Sequence, residues 1–330
     1  MSKMSLDNID RKLLNLLQAE FPLTEEPYTD VGLRVGIDGD EVVHRIEQLK
    51  SMGIVRQIGP VLDARSLGYQ TTLVAMRVVG SQLDKAAQLI VDHPGVSHGY
   101  ERDHHFNFWF TLAIPPTSDV ETDLRQLTSA INTEDVFSLP AKKLFKIRAF
   151  FAVGGNGESM AEVGTQLSGI RPQKVELSRV DRLIINELQQ ELPLIPRPFA
   201  AMSKRSGIEV EDFLAQCQSL EQRGIMRRFG AAINHKRVGF KANAMVCWVA
   251  PPDVVDVVGC RLASLREVSH CYERETNPLW HYNLFAMVHG YSSEVCQQIA
   301  DKVSDEAGLT DYILLFSTKE FKKVRVKYPV

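Results

Sequence analysis

No stretch of this chain is apolar for the roughly 20 consecutive residues that a membrane-spanning helix needs. Met1 to Asp10 has no apolar signal-peptide core, so the expected compartment is the cytoplasm, with no membrane partner. Cysteine is scarce: Cys217, Cys247, Cys260, Cys271 and Cys296 all lie in the second half, and none forms a Cys-x-x-Cys pair. That pattern argues against zinc ribbons, iron–sulfur clusters and a disulfide framework. Basic residues are not in surplus, and a formal net charge of −3 gives no reason to expect a nucleic-acid partner. A glycine-rich nucleotide-binding loop is also missing. What is left is an ordinary globular composition, 44% hydrophobic and 24% charged, over a length that predicts two to four domains.

The chain repeats itself. Leu6, Asp10, Ile37, Gly53, Gly59 and Gly68 recur as Leu177, Asp181, Ile208, Gly224, Gly230 and Gly239, and after an insertion at Thr276–Leu279 Arg148 recurs as Arg325. Two long copies at one offset are a tandem duplication rather than a solenoid. Each copy opens with a capping box (Asp7 to Asp10; Ser178 to Asp181) and apolar residues at helical spacing (Leu13, Leu16, Leu17; Leu183, Ile184, Leu188). Two further helices follow, the last ending at a glycine cap (Gly53, Gly224), and then Gly53 to Ile58 and Gly224 to Phe229 read as a two-stranded wing. Beyond the wing the period changes to strand–helix–strand–strand–helix–strand, a ferredoxin-like order. The expected class is α+β: a tandem duplication of a winged helix-turn-helix domain followed by a ferredoxin-like (RAM-type) βαββαβ domain. The expected boundaries are winged helices over 5–65 and 176–237, ferredoxin-like domains over 70–150 and 241–328, and a Gly-rich linker over 151–175.

One strand in each ferredoxin-like unit carries chemistry. His98-Gly99-Tyr100-Glu101-Arg102 reappears as His270-Cys271-Tyr272-Glu273-Arg274. Side chains alternate along a strand, so imidazole, phenol and guanidinium share one face, and His104 keeps the parity of Arg102. Such a face suits a polyanionic, partly flat ligand; the plain alternative is a solvated sheet face. Asn107 and Asn283 recur where strands usually lack Asn, which fits either ligand contact or backbone hydrogen bonding. His235 follows the second wing.

A winged helix-turn-helix before a ferredoxin-like domain resembles the Lrp/AsnC family of transcriptional regulators. The third helices, however, crowd acids at their leading ends (Asp38, Asp40, Glu41; Glu209, Glu211, Asp212), where a DNA reader approaches base edges and phosphates. The strand motifs resemble instead those of the siroheme decarboxylases, Lrp-related enzymes. Arg102-Asp103-His104-His105-Phe106-Asn107-Phe108-Trp109-Phe110 is similar to the signature of one partner subunit. His270 to Arg274, with Trp280-His281-Tyr282-Asn283-Leu284-Phe285 and Met287 to Gly290, is similar to that of the other, so the chain looks like a fusion of two subunits.

That resemblance implies removal of the carboxyl groups of the C12 and C18 acetates of siroheme, giving 12,18-didecarboxysiroheme for haem or d-type haem synthesis. It implies His104, His270, His98, Tyr100 and Tyr272 as catalytic residues. Arg102, Arg274, Asn107, Trp109, Trp280, Asn283 and His235 would hold substrate, with Lys143, Lys146, Arg148, Lys322, Lys323 and Arg325 as further carboxylate partners. No cofactor is expected, since the iron belongs to the siroheme, and ligation of that iron by one of these histidines stays open. The two ferredoxin-like domains are expected to pair sheet to sheet, within one chain or across a homodimer. A ligand-responsive regulator and a tetrapyrrole-binding protein without turnover are the other readings.

Overall fold

The structure, a computed structural model, describes residues 6–131, 133, 135–147, 150–153 and 175–330. The first copy runs α1 (Asn8–Ala19), α2 (Pro27–Val35), α3 (Gly39–Ser51), β1 (Val55–Leu62), β2 (Gln70–Met76), α4 (Leu83–Asp92), β3 (Val96–Arg102), β4 (Phe108–Ile114), α5 (Val120–Ile131) and β5 (Val136–Ile147). The second repeats it as α6 (Arg179–Leu188), α7 (Pro198–Ser206), α8 (Val210–Gln222), β6 (Met226–Ile233), β7 (Ala242–Trp248), α9 (Val255–Ser264), β8 (Val268–Arg274), β9 (Leu284–Gly290), α10 (Ser293–Ala307) and β10 (Tyr312–Lys323). This is the expected α+β class. The predicted linker lies for the most part outside the described residues.

Local chemistry explains the helix ends. The Asp7 carboxylate accepts from the Asp10 amide at 2.7 Å while the Asp10 carboxylate accepts from the Asp7 amide at 3.1 Å, and Ser178 and Asp181 repeat the box at the start of α6. Gly53 and Gly224 follow α3 and α8 with φ of 66° and 69°, a left-handed backbone that glycine adopts without steric cost.

The wings depart from expectation. Each copy supplies one strand, not two, and the two pair antiparallel with each other, with Gly59 opposite Gly230. A single strand with buried apolar residues (Val55 and Ile58; Met226 and Phe229) needs a ladder partner, and the matching strand of the other copy supplies it. The helices merge as well. Leu13, Leu17 and Ile46 share one core with Ile184, Leu188 and Phe213, and Phe21 packs against Phe199 and Phe229.

The ferredoxin-like sheets close into one eight-stranded barrel in the order β10-β3-β4-β2-β5-β8-β9-β7. The expected pairing is thus made within one chain, but edge to edge through two long strands. Residues 136–140 of β5 pair with β2 and 141–147 with β8; residues 312–316 of β10 pair with β7 and 317–323 with β3. Each strand carries an aromatic across. Phe145 is buried in the core under α9 of the second copy, and Phe321 stacks on Phe108 of the first with ring centroids 5.0 Å apart. Helices cover the outside of the barrel, so the opposite faces of the strands line its interior.

The Phe145 contact is tight enough to test. A Cβ on Gly259 would lie 2.5 Å from the Phe145 ring. Gly259→Ala is therefore expected to destabilise the protein by about 1–3 kcal/mol, and Phe145→Ala by about 3–5 kcal/mol, read from urea unfolding midpoints. Unchanged midpoints in both variants would contradict this packing.

Candidate active site inside the barrel

A register shift in β3 between Val96 and His98, repeated in β8 between Val268 and His270, sets the faces. Val96 and Gly99 turn toward the helices; a Cβ on Gly99 would sit 2.2 Å from Cδ1 of Ile90. Cys271 likewise lies against the Gly259 carbonyl of α9. His98, Tyr100 and Arg102, and His270, Tyr272 and Arg274, therefore point into the barrel, as the alternation predicts. The His98 and Tyr100 rings stack at 6.4 Å, and the Arg102 and Arg274 guanidiniums lie 5.4 and 4.6 Å from the Tyr100 and Tyr272 ring centroids.

The arginines are the anomaly. Arg102 and Arg274 are 4% and 8% exposed, and each reaches across the pseudo-twofold. Nη1 of Arg102 donates to the Leu315 carbonyl at 2.7 Å, and Nη1 of Arg274 to the Leu139 carbonyl at 2.8 Å. Nε of each is buried without a partner, and among the described residues neither has a carboxylate within ion-pair distance. Burial pulls both down to about 10, so both are charged at neutral pH. Two buried cations without counter-ions are costly to a fold, on the order of several kcal/mol each, and an anion entering the barrel would relieve that cost.

The imidazoles are held neutral. Burial first, then the Lys323 charge, pushes His98 down to about 3 and His270 down to about 4. Nδ1 of His98 bonds Ser97 Oγ at 2.8 Å, and Ser97 in turn bonds Thr111 Oγ1 at 2.6 Å. Nδ1 of His270 bonds Ser269 Oγ at 2.8 Å, and Ser269 bonds Nε2 of His289 at 2.7 Å. With Nδ1 committed, Nε2 is the nitrogen each ring has left for a ligand. Burial also raises the Tyr100 and Tyr272 phenols, which stay protonated.

Several expected residues are placed elsewhere. β3 ends at Arg102, so parity does not carry His104 into the same row; it sits in a bend, where its Nδ1 accepts from the Phe106 amide and its ring meets Trp280 edge-on at 5.4 Å. Asn107 and Asn283 take the backbone hydrogen-bonding role of the two that the sequence left open. Each side-chain amide bonds both the N–H and the carbonyl of one neighbour, Val78 or Ala250, extending the ladder where the strand stops. Trp109, 1% exposed, donates to the Phe106 carbonyl and packs with Phe137 and Trp280 in an apolar plug; Trp280 joins that plug with its Nε1 unpartnered. His235 is fully buried behind the row, stacked on Phe151 and bonded to Lys323. His281 is exposed and faces Asp311.

Of the proposed carboxylate partners, Lys143 pairs with Asp256, Lys146 and Lys322 bond helix-end carbonyls, and Arg325 donates to Gly230 under the wing sheet. Arg148 lies outside the described residues. Lys323 borders the histidines: it bonds His235, and its charge acts on His98, His270 and His289. His289 escaped the sequence reading, although β9 gives the signal: it keeps the parity of Phe285 and Met287, both interior. In the helical layer, Arg45 of α3 is bound by Asp7, Asp10 and Glu41, and Arg223 after α8 by Asp181.

No helix among the described residues is long and apolar enough to cross a membrane. Residues 66–146 and 237–322 match the model of the AsnC-like ligand binding domain, and residues 10–56 and 181–227 that of the siroheme decarboxylase NirDL-like HTH domain. A siroheme decarboxylase of Hydrogenobacter thermophilus is 40% identical over 96% of this chain and 94% of its own length. The siroheme decarboxylase beta subunit of Methanosarcina barkeri is 38% identical and matches 46% of this chain with 99% of its own length. Among solved structures, the siroheme decarboxylase NirDL in co-complex with an iron-uroporphyrin III analogue superposes with a TM-score of 0.73 at 36% identity, over 98% of this chain and 95% of that one. A doubled helix-turn-helix and AsnC-like chain, matched end to end by decarboxylases and by halves to a single subunit, belongs to the siroheme decarboxylase family of carboxy-lyases.

Proposed function

We propose that this chain removes, as CO2, the carboxyl groups of the C12 and C18 acetates of siroheme, leaving methyl groups and giving 12,18-didecarboxysiroheme for a route to haem or d-type haem. The observation that carries this reading is the pair of buried, uncompensated guanidiniums, Arg102 and Arg274. They are related by the pseudo-twofold of the barrel, and each is flanked by its own Tyr and His. A polycarboxylate macrocycle supplies the missing anions, and two equivalent rows suit two acetates. The macrocycle takes up the electron pair left on each methylene, so no further electron sink is needed; the iron enters as part of the substrate. His98 and His270 are the candidate proton donors, with Tyr100 and Tyr272 beside them. The apolar plug of Phe106, Trp109, Phe137 and Trp280 keeps water from that end and weakens solvation of the departing carboxylate. The chain serves as its own pseudo-dimer.

Siroheme incubated anaerobically with the protein is expected to lose the mass of two CO2 units in steps; binding without mass loss would leave a carrier. Arg102→Gln and Arg274→Gln should weaken siroheme binding by about 1.5–3 kcal/mol each, since each loses a charge-assisted contact. His98→Gln and His270→Gln should keep the bound spectrum while the true donor's replacement lowers turnover by about 10²–10⁴-fold. His104→Ala, in its bend beside Trp280, should lower turnover by less than about tenfold. Normal two-step turnover in both the His98 and His270 variants would refute this choice of donors.

The neutral histidines also set a pH signature. His98, His235, His270 and His289 are all held below 6.5, chiefly by burial. The unfolded chain therefore binds more protons than the folded one below that value. Stability is fully present above pH 6.5 and falls toward pH 4, by up to about 1.4 kcal/mol per pH unit for each group. Thermal melts of the free protein should drop from pH 7 to pH 5. Saturating siroheme should flatten that drop, because its carboxylates favour the imidazolium forms. A free-protein melting temperature independent of pH over this range would contradict the burial of these rings.

A further inference from the structure

The two rows are alike in what faces the barrel but not in what stands behind it. In the first copy the chain from His98 passes to Ser97 and stops at Thr111, a hydroxyl that holds no spare proton. In the second, the chain from His270 passes to Ser269 and on to His289, a group that can. His289 is 5% exposed and meets His235, 0% exposed, edge-on with centroids 5.3 Å apart; Nδ1 of His235 bonds the Lys323 ammonium at 3.1 Å. The sequence lacks these groups in the other copy, where Ala113 and Ala64 stand at the places of His289 and His235.

Lysine has only donors, so Lys323 fixes the direction of this row. With Nδ1 of His235 accepting, that ring carries its proton on Nε2. Nε2 of His235 and Nδ1 of His289 are both buried and unpartnered, a donor and an acceptor on touching rings. If Nδ1 of His289 accepts, its Nε2 donates to Ser269, the Ser269 hydroxyl donates to Nδ1 of His270, and the proton of His270 stands on Nε2, toward the barrel. Resting on the proposed decarboxylation, we infer that proton supply to both acetates runs through the second copy alone, with His289 and Ser269 as the positioning residues that refill His270. His98 then holds a carboxylate and does not deliver protons.

The balance is simple. Each step breaks the C–C bond to a carboxylate, releases CO2, leaves the bonding pair on the methylene carbon and consumes one proton to form the methyl C–H bond. The proton leaves Nε2 of His270 and is replaced at Nδ1 from Ser269, which is refilled from His289. The next proton enters from Lys323 through His235, whose ring meets His289 with no hydrogen bond between them at rest. Nε2 of His235 must therefore close on Nδ1 of His289 to refill it, and Lys323 regains its own proton from solvent. Two acetates draw two protons, so a row that cannot be refilled would stall after one.

The test compares Ser269→Ala, Ser269→Thr, His289→Gln and Ser97→Ala in the full chain with siroheme under anaerobic conditions, reading kcat, KM and product mass. Ser269→Ala and His289→Gln are expected to lower kcat by about 10²-fold, with KM changed less than about twofold and mono-decarboxylated product accumulating. Ser269→Thr, which keeps the hydroxyl, should recover most of kcat. Ser97→Ala should reduce kcat at least about tenfold less than Ser269→Ala. Equal losses in the two serine variants would overturn the one-sided supply. Full turnover in His289→Gln would overturn proton transfer through that ring, since glutamine keeps a hydrogen bond but cannot titrate. If wild type leaves siroheme intact, or His270→Gln turns over normally, the decarboxylation reading or its donor has failed instead. Melting temperature and the bound siroheme spectrum identify a variant that has merely misfolded; a variant failing both is replaced by His289→Asn or Ser269→Cys and judged by the same outcomes.

Discussion

The structure depends on two strands being too long for the sheets they belong to. β5 and β10 each finish their own four-stranded sheet and then continue as an edge of the other, which converts two open sheets into one closed barrel. Closure removes the exposed edges. It also inserts Phe145 and Phe321 into the opposite cores, and it brings the Leu139 and Leu315 carbonyls to where Arg274 and Arg102 can reach them. The chemical row of each copy is thus anchored on the other copy's strand.

Inside that barrel the electrostatics are set by burial. Two guanidiniums stay charged with carbonyl acceptors but no counter-ions, while the imidazoles beside them are kept neutral by the same desolvation together with the Lys323 charge. A polyanion reverses both penalties at once: it supplies the arginines with acceptors and favours protonation of the histidines. The free protein therefore carries unfavourable terms that its proposed substrate relieves.

The helical layer shows the same economy of parts. Each wing is one strand, and among the described residues its ladder partner is the wing of the other copy. The helix-turn-helix units share a single apolar core, and the basic residues Arg45 and Arg223 are bound to acids within the layer. The helix-turn-helix layer works as a base that joins the halves beneath the barrel.

Much of this was written in the chain. Helical and strand periods, capping boxes and glycine caps specified the helices and the strands of the ferredoxin-like units through local contacts a few residues apart, and the constant offset revealed the duplication. Strand alternation placed His98, Tyr100 and Arg102, and their counterparts, on one face. Partner choice was not legible, because it depends on which edges meet in space: the wings paired across copies, and the long strands closed a barrel. The same limit misplaced His104, since a strand's end depends on the bend at Asp103–Phe106, and left Asn107 and Asn283 undecided until their neighbours Val78 and Ala250 were seen. His289 gained its place only when β9 folded beside β8, bringing residues 20 positions apart in the chain to within one hydrogen bond. Sequence determined which groups face inward; tertiary structure decided which groups stand behind them, because burial and pairing arise only once distant strands are packed together.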